Sequence, residues 1–336
     1  MLGLSERDRW RVLVAGLLSV VAVTTGSAQR SQPYDPLAPQ GATPPEPRDL
    51  VVRDDGRKRD IPVLVYLPSG QSAAPVVLFS HGLGGARTGS AFLGKHWAAR
   101  GYVAVFLQHK GSDESVWKDV APLRRLAVMR RAANAENYLL RAQDVKVVLD
   151  GLTRWNLDAA HPLRGRLDMT RVGMSGHSFG GVTTQAVSGQ SSNVPSLRLT
   201  DARIKAAIVM SPTVPAAGNP QTAFGKVAIP WLLMTGTRDE SLIGGATVES
   251  RLQVFPALPP GNKYELVLFD GQHSAFTDRD LPGDKVERNP NHHRVIMALS
   301  TAFWDAFLRE DPAARTWLDG AGALGVLEAK DRLLKK

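Results

Sequence analysis

Three polar side chains in this 336-residue chain stand in settings where they could cooperate in acyl transfer. Ser178 is the centre of Gly176-His177-Ser178-Phe179-Gly180, a G-x-S-x-G pattern preceded by an apolar run and followed by residues able to start a helix. That pattern predicts a strand, a sharp turn and a helix, with the serine lifted onto the turn. Gly176 and Gly180 are then needed because neighbouring chain passes too close for side chains. Asp239 ends Thr235-Gly236-Thr237-Arg238-Asp239, and His273 lies in Asp270-Gly271-Gln272-His273-Ser274. A serine hydroxyl is a weak nucleophile until a base takes its proton, and a neutral imidazole needs a carboxylate to hold its tautomer. Ser178, His273 and Asp239 are the residues predicted for those roles. Asp270 and Glu240 are rival acids. His81 and His177 belong to the motif loops, and His292 and His293 open a later helix.

The same chemistry needs donors for a developing oxyanion. His81-Gly82-Leu83-Gly84-Gly85 follows a short apolar strand and lacks the Lys-Ser/Thr of a phosphate-binding loop. The backbone amides of Leu83 and Phe179 are the expected pair, the second at a helix N-terminus where the dipole favours negative charge. No metal or organic cofactor is expected: His109 with Asp113 lacks a second pair of ligands.

These motifs must be carried by elements, and the elements alternate. Continuous apolar runs at Val76–Ser80, Tyr102–Leu107, Ala206–Met210, Trp231–Thr235 and Tyr264–Phe269, together with the run that precedes Gly176, predict strands, the first two buried on both faces. Helical patterns lie between them, which marks βαβ units and a largely parallel sheet. Val51–Arg53 and Asp60–Leu67, joined through Asp54-Asp55-Gly56, predict two antiparallel strands at the front of the domain. A helix is expected over Phe92–Ala99, one long helical stretch to about Trp155, and another helix over His292–Leu308. Residues 108–155, with Trp117 and the arginines 124, 125, 130 and 131, form a candidate cap or rim. The tail from Asp311 is expected to be helical, charged and superficial.

The chain ends and the composition set further bounds. Residues 1–28 carry Arg7, Arg9 and Arg11, then an apolar stretch from Val12 to Val23, then Gly26-Ser27-Ala28, as a secretory signal cleaved near Ala28 does. The apolar run is shorter than the ~20 residues of a membrane span, so a secreted or periplasmic mature protein is expected. Pro33, Pro36, Pro39, Pro44, Pro45 and Pro47 make residues 29–48 a solvated leader, with packing beginning near Leu50 and one domain over 49–336. The formal net charge is +9, yet no motif with interleaved aromatics points to nucleic acid. Such a charge suits an anionic substrate or surface. Cysteine is absent, which removes disulfides and thiol nucleophiles. Nothing in the pattern fixes an oligomeric state.

In these residues the chain resembles the α/β-hydrolase superfamily, over roughly residues 50–310. More narrowly it is similar to dienelactone-hydrolase-like and platelet-activating-factor acetylhydrolase-like esterases, through Phe79-Ser80-His81-Gly82-Leu83-Gly84 and Gly176-His177-Ser178-Phe179-Gly180-Gly181. The resemblance implies a mostly parallel central sheet with antiparallel N-terminal strands and helices on both faces. It also implies hydrolysis of a small or lipid-like carboxylic ester without a cofactor. Two departures qualify it. Dienelactone hydrolases use a cysteine where this chain has Ser178. The acetylhydrolases take their acid from the strand after the elbow helix, where this chain has Met210-Ser211-Pro212 and no carboxylate. Bacterial polyester hydrolases share a similar elbow, so a polyester or lipid surface is the alternative substrate, and a non-catalytic binding protein on a hydrolase scaffold is the alternative of a different class.

Overall fold

The computed structural model describes residues 33–192, 194, 196–215 and 218–336. The segment read as a secretory signal lies outside them. Among the described residues nine strands form one sheet: β1 (Arg48–Asp54), β2 (Arg59–Tyr66), β3 (Ala74–Ser80), β4 (Val103–Leu107), β5 (Leu167–His177), β6 (Ile204–Met210), β7 (Trp231–Arg238), β8 (Lys263–Gln272) and β9 (Arg332–Lys335). Their spatial order is β1-β2-β4-β3-β5-β6-β7-β8-β9. β1, β2 and β4 pair antiparallel, the run from β4 to β8 is parallel, and β9 returns antiparallel on β8.

The helices are α1 (Ala91–Ala99), α2 (Pro122–Ala132), α3 (Ala135–Leu157), α4 (Phe179–Val187), α5 (Pro220–Phe224), α6 (Val248–Leu252), α7 (Val254–Ala257), α8 (Pro290–Leu308), α9 (Pro312–Asp319) and α10 (Ala321–Leu324). Successive strand residues point to opposite faces, so a strand that is apolar throughout demands cover on both. Val77 and Phe79 of β3, with Ala104 and Phe106 of β4, join Leu93 and Trp97 of α1 and Phe303 and Trp304 of α8. Their neighbours Val76, Leu78, Val103 and Val105 join Val145, Val148 and Leu152 of α3. On that second face, β6 and β7 are covered by Phe224 of α5 and by Val254 of α7. This is the α/β-hydrolase fold.

Three expectations are corrected. The proline-rich segment is expected to be solvated, and most of residues 37–48 are exposed, but its first part, residues 34–38, is docked. Tyr34 donates to Asp305 Oδ2, and buried Arg100 collects the carbonyls of Asp35 and Ala38. Proline removes donors but leaves every carbonyl, and one guanidinium gathers those carbonyls without a sheet ladder. The helical stretch to Trp155 is two helices, broken at Ala133-Asn134, because Asn134 caps α3 by accepting from the Asn137 amide. The tail is not superficial: Ala314, Leu318 and Ala323 are buried in the core, and β9 covers the edge that β8 would otherwise leave unpaired. Among the described residues no helix is long and apolar enough to cross a membrane.

Candidate active site

β5 runs straight to His177, and Ser178 takes φ 58° and ψ −118° before α4 begins. A non-glycine residue there is strained, and the strain is held by close packing around it. A Cβ on Gly176 would lie 2.3 Å from the Gly180 oxygen, and one on Gly180 only 1.8 Å from the Ser80 oxygen. The Ser178 amide donates to Met210 O at 3.0 Å, tying the turn to the end of β6.

Two strands further on, β7 and β8 approach so closely that a Cβ on Gly236 would sit 2.1 Å from the Gly271 oxygen. A register shift there places Arg238 opposite Gln272, so the next residues, Asp239 and His273, come side by side. His273 Nδ1 lies 2.6 Å from Asp239 Oδ1, and His273 Nε2 lies 2.9 Å from Ser178 Oγ. With Nδ1–H donating to the carboxylate, Nε2 is left to accept from the serine hydroxyl.

Asp239 is fully buried. Burial by itself raises a carboxyl, but the Arg251 guanidinium, His273 and hydroxyl contacts outweigh it and hold Asp239 well below the usual carboxylate range. Thr235 Oγ1 donates to its Oδ2 at 2.8 Å. The rival acids are elsewhere: Asp270 takes a hydrogen bond from Arg238 Nε at 2.6 Å, and Glu240 pairs with Lys285 at 3.1 Å. Among the other histidines, His177 packs against His273 with ring centroids 4.5 Å apart. Burial, then the charges of His273 and Arg251, keep it well below the ordinary histidine range and so neutral. His292 and His293 bond the carbonyls of Phe269 and Thr277.

The glycine-rich loop passes beside the serine: a Cβ on Gly82 would meet Ser178 Cβ at 3.4 Å. Among the described residues neither the Leu83 nor the Phe179 amide has a hydrogen-bond acceptor. His109 does not pair with Asp113. It bridges Ser80 Oγ at 2.9 Å and Asp144 Oδ2 at 3.0 Å, whereas Asp113 accepts from Gln108 and Ser115. Trp117 reaches the loop as well, donating to Gly84 O at 2.7 Å, with Arg125 over its ring. A cleft of about 420 Å3 opens beside His273. Leu242, Phe269 and Pro282 supply its apolar surface, and the Arg238–Asp270 pair stands at its wall.

Residues 66–122 match the family model of platelet-activating factor acetylhydrolase, isoform II. The matched stretch runs from the end of β2 to the start of α2 and contains the glycine-rich loop with Leu83. Over it the chain is similar to that family. Ser178, Asp239 and His273 lie beyond it.

Arg251 and Arg141 are not marked by the sequence motifs, and Thr235 and Ser211 lie in named stretches without a role of their own. Arg251 sits on a five-residue helix with no period to mark it. Arg141 did carry a signal, being a cation on the stripe Arg141, Val145, Val148, Leu152 of α3, all buried.

Proposed function

We propose that this protein is a serine hydrolase of carboxylic esters, acting through Ser178, His273 and Asp239. The observation that carries this reading is the continuous hydrogen-bonded run from Asp239 through His273 to Ser178, at the C-terminal ends of three parallel strands. The match over residues 66–122 supports an ester hydrolase from an independent stretch of chain.

Ser178 Oγ attacks the ester carbonyl carbon while its proton passes to His273 Nε2. Asp239 keeps the imidazole in the required tautomer and stabilises the imidazolium. The amides of Leu83 and Phe179 receive the oxyanion, worth about 10²–10³ in rate for each such donor. Collapse expels the alcohol, which takes the proton from His273. Water then repeats the sequence on the acyl-enzyme and frees Ser178.

The substrate is a small or acetyl ester, a reading supported by the similarity of residues 66–122 to the platelet-activating factor acetylhydrolase family. Ser178 in place of a cysteine sets the chain apart from dienelactone hydrolases proper. A second reading, action at a polyester or lipid surface, draws on α2, where Leu123 is fully exposed beside Arg124. Purified protein assayed on p-nitrophenyl esters of increasing chain length, and on an insoluble polyester film, separates the two. Turnover that falls steeply beyond short acyl chains fits the small-ester reading. Preferential attack on long chains or the film contradicts it.

A further inference from the structure

Three donors converge on one carbonyl of the glycine-rich loop. The Gly82 oxygen is approached by the Gly85 amide at 3.1 Å, by His81 Nδ1 at 2.6 Å and by Arg141 Nη2 at 3.4 Å. The other ring nitrogen of His81 fixes its tautomer: Nε2 accepts from the His109 amide at 3.1 Å, so a neutral ring carries its proton on Nδ1 and gives it to Gly82. Burial, with Arg141 and His109 adding to it, holds this imidazole well below the ordinary histidine range, which keeps it neutral. Arg141 Nη2 also lies 3.2 Å from His81 Nδ1, but a protonated nitrogen cannot accept, so the carbonyl is its partner.

The Gly82 carbonyl and the Leu83 amide are the two ends of one peptide unit, whose resonance couples them. Donors at the oxygen draw electron density along the unit and strengthen the N–H as a donor, by about 10–30% per bond in hydrogen-bonded chains. Arg141 reaches the second amide's residue too, with its guanidinium 4.5 Å from the centre of the Phe179 ring. Its remaining donors go to His81 O at 2.8 Å, Ser80 Oγ at 3.2 Å and Ser112 Oγ at 2.8 Å. The side chain is fully buried, and every acceptor it meets among the described residues is neutral. Burying a cation without a carboxylate partner is expensive. Here, among the described residues, no carboxylate bonds the guanidinium directly, Asp144 and Asp113 acting on it only through their charge, and the cation faces the loop on which an oxyanion would form.

We propose that Arg141 is a positioning residue for the oxyanion hole, fixing and polarising the Gly82–Leu83 peptide while bracing Phe179. The inference rests on the reading of Leu83 and Phe179 as the oxyanion donors. A second Ser–His–Asp run anchors the arginine. Ser80 Oγ, which accepts from Arg141, donates to His109 Nε2, and His109 Nδ1–H donates to Asp144, itself bound by Arg57 and Arg59. All three members are wholly buried, so this run holds the end of β3 against α3 and meets no substrate.

The test compares Arg141→Met, Arg141→Lys and Ser112→Ala with wild type, using a short p-nitrophenyl ester, a boronic acid that mimics the tetrahedral intermediate, and fluorophosphonate labelling. Arg141→Met is expected to lower kcat about 100-fold with KM within about threefold, and to weaken the boronate in step with kcat/KM. Arg141→Lys, which keeps the charge but loses the fork, should recover about tenfold. Ser112→Ala removes one oxygen and should show a smaller loss with the same split, and with Arg141→Lys it carries the comparison if Arg141→Met does not fold. Folded variants whose kcat and boronate affinity both stay within about threefold of wild type overturn the inference. So does a loss expressed in KM alone. If wild-type protein takes no fluorophosphonate, the ester-hydrolase reading itself fails, an outcome distinct from labelled variants that keep full rate.

Discussion

Arg251 holds Asp239 beside His273: its Nε donates to the Asp239 main-chain oxygen at 2.7 Å and stands 3.2 Å from Oδ1, the oxygen that His273 also meets. Its Nη1 gathers the carbonyls of Ser211 and Pro212 at 2.9 and 3.1 Å, so one buried side chain ties the loop after β6 to the loop after β7. Arg251→Met leaves the Asp239 carboxylate with its strongest counter-charge gone. Breaking a buried pair from one side costs about 3–5 kcal/mol, which urea unfolding will register. In folded protein the imidazolium of His273 gains from the unbalanced carboxylate, so the acidic limb of kcat/KM moves to higher pH. A variant with unchanged stability and an unmoved limb contradicts this account of Arg251.

Asp239→Asn should lower kcat by about 10⁴, because an amide favours the wrong tautomer of His273. Asp270→Asn should stay within about threefold, since its partner is Arg238 at the cleft wall. Reversed severities make Asp270 the acid.

Ser211 falls in Met210-Ser211-Pro212, the stretch where the resemblance to acetylhydrolases implies an acid, and has φ 58° with Oγ 3.4 Å from His273 Nδ1. Ser211→Asp added to Asp239→Asn is therefore expected to recover about tenfold or more of the lost rate. No recovery in a folded double variant would show that Ser211 cannot serve as an alternative acid position.

Stability should fall as pH drops from about 6.5 toward 4. Burial, then the Arg141 charge, pushes His109 down to about 4 against the pull of Asp144. His81 and His177 are lowered in the same direction, chiefly by burial. The unfolded chain binds protons near pH 6.5 that the folded chain refuses, so unfolding gains with each step of acidification through that window. His109 alone contributes about 1.5 kcal/mol between pH 6.5 and 5, the slope rising toward 1.36 kcal/mol per pH unit as the unfolded imidazole becomes fully protonated. Urea midpoints measured at pH 7.5, 6 and 5 check this. A flat response over that range contradicts it.

What was legible in the sequence had a local cause. Strands β3 to β8 are apolar on both faces because helices cover both, and that leaves continuous runs such as Val76–Phe79. Ser178, Asp239 and His273 follow such runs directly, so the strands that place them also announce them. What was not legible depends on residues distant in the chain. Arg251 acts on an aspartate across a loop, Arg100 binds proline-segment carbonyls many residues upstream, and β9 is a strand only because the edge of β8 awaits it. The break before α3 did have a local sign in Asn134, an N-cap residue inside an otherwise helical pattern.

The central claim is that Ser178 is the nucleophile. Wild-type protein and Ser178→Ala are treated with a fluorophosphonate, then compared by intact mass, peptide mapping, melting temperature and esterase rate. The account predicts one adduct on the peptide carrying Ser178 in wild type, none in Ser178→Ala, an unchanged melting temperature, and an esterase rate lower by several orders of magnitude. An adduct on another residue, or a Ser178→Ala rate within about tenfold of wild type, would contradict it.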